Sequence, residues 1–279
     1  MLEQVKSVSI DKITQTDANC NVSDLLAVEE PLEIRIGYGP ESHREQKSLS
    51  VTMRTPGYDH ELALGFLYTE GVITSFDNVE GIRHCQDLGK EETGNVVRVE
   101  LRPEVLLDFN KLQRHFYTTS SCGVCGKSSL ESISKVCEPI QSELETPPKI
   151  ICQALELLNI SQTTFKHTGG IHATGLFNAK GDLIILREDV GRHNALDKVL
   201  GAAIMKGMIP LKDYFILVSG RASFELVQKA VMAGVPLLAA VGAPSSLAAQ
   251  LASELGLTLI GFLKEDRFNI YSRPERVIL

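Results

Sequence analysis

The stretch Tyr214-Phe215-Ile216-Leu217-Val218-Ser219-Gly220-Arg221-Ala222-Ser223-Phe224-Glu225 decides the reading of this chain. Its first five residues are continuously apolar, as in a strand covered on both faces. Serine and glycine then open a turn, and Phe224 to Ala233 carries a helical pattern. The same grammar recurs on either side. Upstream lie a helix over Ile151 to Leu158, a turn and strand over Gly181 to Leu186, and a helix over Asn194 to Met205. Downstream lie a strand over Val235 to Val241, a helix over Ser246 to Leu255 and a strand over Thr258 to Phe262. Alternating helices and apolar strands predict a three-layer α/β/α domain over residues 149–279.

The first part of the chain has another texture. Leu32 to Ile36, Ser48 to Met53 and Asn95 to Leu101 alternate apolar and polar residues, as half-buried strands do. Glu61 to Tyr68 reads as a helix with Asp59 as its cap. Residues 1–113 are therefore expected to form a small α+β domain, with a polar, loosely attached start from Met1 to Asn19. Residues 114–148 are expected to hold a mobile cysteine loop and a connecting helix. Glu145-Thr146-Pro147-Pro148 closes that segment, since paired prolines break a helix.

The 279 residues suffice for two modest domains, and 43% hydrophobic residues for a proper core. A net charge of −7 argues against general nucleic-acid binding. No apolar run is long enough to span a bilayer. Met1 to Lys6 lacks an apolar signal core. A cytoplasmic protein is expected, whose cysteines stay reduced.

Ligands of such sheets bind beyond the carboxyl ends of the strands. Several polar segments fall there. Arg187 to Lys198 crowds charge, glycine and caps around Arg192, a planar fork for phosphate or carboxylate, and His193, a proton donor or acceptor. Ser219-Gly220-Arg221 leads into a helix start, whose free N–H groups attract anions. Ser223 reads as a plain N-cap. Val241 to Ser246 repeats the strand, glycine turn and helix start, without a Walker ending. Gly169-Gly170-Ile171-His172-Ala173-Thr174-Gly175 allows a ligand close to backbone, with His172 in reach. Phe262-Leu263-Lys264-Glu265-Asp266-Arg267-Phe268 sets charges between aromatics that suit a base and its phosphates.

Thr118 to Lys127 contains Cys122-Gly123-Val124-Cys125 among hydroxyls and glycines. The other cysteines (Cys20, Cys85, Cys137 and Cys152) are not paired at metal-ligand spacing, which disfavours structural zinc. A thioredoxin-like dithiol expects an early βαβ unit, whereas this pair lies mid-chain. The remaining chemistry is a cysteine that carries sulfur or bonds transiently, helped by a cation or helix start that lowers its pKa.

Together, Ser120-Ser121-Cys122-Gly123-Val124-Cys125-Gly126, the His172 segment, Glu188-Asp189-Val190-Gly191-Arg192-His193-Asn194-Ala195-Leu196-Asp197-Lys198 and Ser219-Gly220-Arg221-Ala222-Ser223 resemble the formate dehydrogenase accessory sulfurtransferases, the FdhD/NarQ family. The resemblance runs from about Pro31 to the C-terminus. It implies a cytidine-deaminase-like second domain and a homodimer. It also implies a sulfurtransferase that takes sulfur from a cysteine desulfurase as a cysteine persulfide. The sulfur passes to a molybdenum or tungsten bis(molybdopterin guanine dinucleotide) cofactor on behalf of formate dehydrogenase. Cys122 matches the persulfide-bearing cysteine and Cys125 the second thiol. Phe262, Leu263, Lys264, Glu265, Asp266 and Arg267 match the cofactor-binding stretch, joined in our reading by His172, Arg192, His193, Ser219 and Arg221. GDP is a reasonable mimic of the cofactor. No zinc is expected, because His172-Ala173-Thr174 has Thr where deaminases carry their catalytic Glu. A non-catalytic cofactor chaperone and a dithiol oxidoreductase stay open as alternatives.

Overall fold

The computed structural model describes residues 4–85, 94–107 and 139–279. Cys122, Cys125 and the helix expected after them lie outside these residues. The N-terminal unit is a four-stranded sheet of order β4-β3-β6-β5, formed by β3 (Glu30–Tyr38), β4 (Glu45–Arg54), β5 (Val79–His84) and β6 (Val96–Leu101). β3 and β6 run parallel and the outer pairs antiparallel. Alternation works as the sequence predicts: Leu32, Ile34 and Ile36 point inward, fully buried against Val97, Val99 and Leu101.

Helix α1 (Asp59–Thr69) lies on that inner face. Its expected cap, Asp59, is instead the first helical residue. Tyr58 takes the cap position with φ 58°, and the Asp59 carboxylate pairs with buried Arg54 at 3.0 Å. The start of the chain is also different from the loose tail expected. It forms an antiparallel ribbon of β1 (Val5–Ile13) and β2 (Ala18–Ala27), exposed over most of its length. Gln4 fastens its base, donating to the Pro56 carbonyl and accepting from the Thr164 hydroxyl.

The second domain is a six-stranded sheet of order β12-β11-β10-β9-β7-β8. Its strands are β7 (His172–Asn178), β8 (Leu183–Asp189), β9 (Tyr214–Val218), β10 (Leu237–Ala240), β11 (Thr258–Gly261) and β12 (Asn269–Ser272). β9, β10 and β11 are parallel; β7, β8 and β12 join antiparallel. Helices α4 (Arg192–Met205), α5 (Phe224–Met232) and α6 (Ser246–Glu254) cover one face, where Leu176, Ile216, Val218 and Leu238 meet Leu196, Leu226 and Leu251. On the other face, α2 (Pro148–Ser161), followed by the short α3 (Thr163–Thr168), packs Ile151, Leu155 and Leu158 onto Phe177, Phe215 and Leu237. The three layers expected are therefore present. The prolines open α2 rather than break the chain: Pro147 holds the cap position and Pro148 the first turn, where a missing N–H costs nothing.

The two units share a seam, because α1 crosses α4 at two glycines. A Cβ on Gly65 would collide with the Asp197 carbonyl, and one on Gly201 with the Glu61 carbonyl. Backbones in such contact need residues without side chains. Beside this crossing, Lys229 donates to both Asp197 carboxylate oxygens at 2.9 Å and to Thr69 at 2.8 Å, tying α5, α4 and α1 together.

Candidate functional site

Antiparallel pairing brings the start of β7 and the end of β8 to the edge where β9, β10 and β11 end. His172 lies opposite Asp189, and Thr174 opposite Val218. Ser219 stitches this edge: its N–H donates to the Ala173 carbonyl, and its hydroxyl accepts from the Ala173 N–H, both at 2.9 Å. Gly220 leaves space for two of the expected site residues. A Cβ there would lie 3.3 Å from His172 Nδ1 and 3.8 Å from Arg192 Cδ. Gly242 N–H donates to the Gly220 carbonyl, and a Cβ on Gly242 would press on the Arg221 backbone at 3.0 Å. His172, Arg192, Ser219 and Arg221 thus gather at one end of the sheet.

His193 stands on the same helix start as Arg192. Its Nε2 lies 3.1 Å from Ser223 Oγ and 3.8 Å from the Glu225 carboxylate. Burial, reinforced by the Arg192 charge, pushes the His193 pKa down to about 4. The same two causes lower His172. Both imidazoles are consequently less cationic near neutral pH than free histidines, which leaves Arg192 and exposed Arg221 as the lasting positive charges. Burial alone would raise the Glu225 pKa, but its backbone N–H, Ser223, His193 and Arg192 bring it below the usual value.

Two helix starts converge here without side-chain caps. Gly191 has no side chain to cap α4, and Ser223 makes no cap bond to α5; its hydroxyl instead meets His193 Nε2 at 3.1 Å. The expected role of Ser223 as N-cap is thereby corrected. At the α5 start the Glu225 carboxylate takes its own backbone N–H, whereas the α4 start, with no acidic residue in its first turn, leaves backbone N–H groups and the positive end of the helix dipole for an anion. Arg192 Nε and the Thr174 hydroxyl, both buried, have no hydrogen-bond partner among the described residues. Buried polar groups are nearly always paired, so an orphaned guanidinium nitrogen marks a place for an acceptor. The chemistry on offer is capture of phosphate or a comparable anion, with neutral imidazoles alongside.

The other half of the Asp189-to-Lys198 motif does something else. Asp189 is fully buried and pairs with Lys198 at 2.6 Å. It also accepts from the N–H groups of Thr55 and Gly191 and from the Asn194 amide. Asn194 donates to the Met53 carbonyl at 2.8 Å and accepts from the Thr52 hydroxyl at 3.2 Å. These residues fasten the loop to the N-terminal unit and offer nothing to a ligand.

The stretch from Phe262 to Arg267 divides as well. Phe262 is 46% exposed, with φ 53°, and its N–H donates to the carbonyl of Gly242, the glycine packed on the Arg221 backbone, so its backbone adjoins the site. A bulky residue in left-handed backbone is an outlier that only its surroundings can hold. Leu263 departs from the expectation. It is fully buried in the core against the α2 layer, where its apolar side chain belongs, and touches no open surface. Lys264, Glu265, Asp266 and Arg267 form an exposed turn, closed by Lys264 N–H on the Arg267 carbonyl at 2.8 Å. The Asp266 charge helps burial raise the Cys152 pKa, which puts this turn near α2, on the opposite face of the sheet from α4.

His172-Ala173-Thr174 opens strand β7. Among the described residues, no group of three or more His, Cys, Asp or Glu is arranged to hold a metal ion. None of their helices is long and apolar enough to cross a membrane. Sequence reasoning missed Thr174 and Glu225. The signal for Glu225 was its place in the first turn after the Ser219-Gly220-Arg221 segment.

The model of the FdhD/NarQ family matches residues 27–278. The chain belongs to that family. Among its relatives, the protein called sulfur carrier protein FdhD from Mycolicibacterium paratuberculosis is 49% identical over 265 residues, 91% of this chain and 92% of the relative. One of the same name from Saccharolobus solfataricus is 40% identical over 274 residues, 98% of each chain. A crystal structure from Desulfotalea psychrophila, described as a candidate formate dehydrogenase accessory protein, superposes with a TM-score of 0.76 at 23% identity, covering 99% of this chain and all of that one. That likeness shows the shared fold. The ribbon β1–β2 lies almost wholly ahead of the residues that the family model matches.

Proposed function

We propose that this FdhD/NarQ protein is a sulfur carrier of the formate dehydrogenase system, working as a persulfide sulfurtransferase. The Cys122 thiolate attacks the terminal sulfur of a desulfurase persulfide. One S–S bond forms on Cys122 as the desulfurase S–S bond breaks, and the desulfurase cysteine leaves as its thiolate. The loaded sulfur is then passed to the metal of a bis(molybdopterin guanine dinucleotide), which is substrate here: the S–S bond on Cys122 breaks, Cys122 leaves as its thiolate, and the reduced metal supplies the two electrons that make the outer sulfur a sulfide. Cys125 stands by as a second thiol. The setting is the cytoplasm and the unit a homodimer.

One observation carries the binding half of this reading: the uncapped start of α4 lies beside a buried Arg192 nitrogen that has no partner among the described residues. A bulky cofactor with diphosphate arms supplies the missing acceptors. Phe262, whose backbone adjoins the site, offers a face on which a base or pterin can stack. Gly220 keeps the approach open, and Arg221 adds exposed charge. The sulfur half rests on the family and on the names its relatives carry.

The test is Cys122→Ala in a strain whose formate dehydrogenase depends on this protein. Activation is expected to vanish while the variant still folds and binds GDP. Normal activation by Cys122→Ala would refute the persulfide step. Full activity of the double Cys122→Ala, Cys125→Ala variant would make the protein a cofactor chaperone.

A further inference from the structure

We infer that the end of β4, in the N-terminal unit, positions Arg192 for the anion, with Thr52 and Thr55 as positioning residues. The inference rests on the reading of the Arg192 cluster as an anion site. Two sets of anchors define that cluster. His172 and Gly220 are held by the pairing of β7 with β9 and by Ser219, wholly within the second domain. Arg192 and the first turn of α4 hang from a different support. Val190 N–H donates to Thr55 Oγ1 at 3.2 Å, and the Thr55 N–H donates to Asp189 at 3.2 Å. Lys198 Nζ donates to the Thr55 carbonyl at 2.8 Å. Asn194 reaches the Met53 carbonyl and takes the Thr52 hydroxyl.

The polar neighbours on both sides of Arg192 are thus bonded to Thr52, Met53 and Thr55. Gly191, inside the clamped loop, imposes little backbone restraint of its own. A small shift of the β4 end therefore moves Arg192 and the α4 dipole relative to His172 and the start of α5. Misplacing a binding group by even a fraction of an ångström weakens what it holds. β4 is also the edge strand of its sheet, with Val51 64% and Met53 48% exposed, while Thr55, Asp189 and Lys198 of the clamp are fully buried.

The experiment compares GDP binding by calorimetry, and thermal unfolding, for the full chain and its variants. Thr52→Val keeps the shape and removes the hydroxyl. It is expected to weaken GDP about fivefold, the effect of one lost hydrogen bond, while Thr52→Ser binds as the parent does. Thr55→Val, which removes the acceptor for Val190 N–H, gives a second reading if Thr52→Val unfolds. Arg192→Ala is the control and is expected to lose most of the binding. Parent-like affinity in Thr52→Val or Thr55→Val, or a Thr52→Ser as weak as Thr52→Val, overturns the positioning role. Failure of the parent to bind GDP, or undiminished binding by Arg192→Ala, overturns the site itself and the inference with it.

Discussion

Within one stretch, from Asp189 at the end of β8 to Lys198 in α4, two kinds of polar residue point in two directions. Asp189, Asn194 and Lys198 turn toward the N-terminal unit and are bonded there. Arg192 and His193 turn toward the end of the sheet, where a guanidinium nitrogen is left orphaned. The satisfied groups hold the fold, and the unsatisfied one is where we propose that an anion binds. Density of charge in the sequence does not separate the two kinds, but hydrogen-bond accounting does.

The contrast predicts opposite responses to mutation. Lys198→Met leaves the Asp189 carboxylate buried without its cation, and losing one partner of such a pair costs about 3–5 kcal/mol. Urea unfolding is expected to show that loss. A shift below about 1 kcal/mol would mean the seam is not what holds the loop.

A smaller effect separates the two sides by pH. The folded-state pKa of His193, about 4, lies below the ordinary 6.5. The unfolded chain thus binds the extra proton first. His193 contributes its stability fully above pH 6.5, and the contribution is lost as pH falls toward 4. Replacing it, as in His193→Gln, is expected to flatten the fall of the urea midpoint across that window. An unchanged slope would show that His193 is not kept neutral by its surroundings.

Much of the second domain was legible because strands covered on both faces are written as plain apolar runs. β9, β10 and β11 fall within the predicted limits. β7 hid because His172, Thr174 and Gly175 interrupt its run; the first two line the site edge, and a Cβ on Gly175 would crowd Phe177. The ribbon β1–β2 hid because both its faces meet solvent, so no alternation marks it. The site was legible as polar loops at strand ends. What spacing along the chain did not give was direction: beyond a strand end, neighbouring residues face opposite ways. Asp189 looked as available as Arg192, and Leu263 as available as Phe262. The shared seam escaped for a related reason, since Gly65 and Gly201 signal their role only once α1 and α4 are seen to cross.

The most direct test of the sulfur-carrier account is a peptide mass analysis of the Cys122–Cys125 segment. The protein would first be incubated with a cysteine desulfurase and cysteine, then alkylated without reductant. The account predicts one added sulfur on Cys122 that reduction removes. Two plainly alkylated thiols, or a Cys122–Cys125 disulfide with no added sulfur, would contradict it.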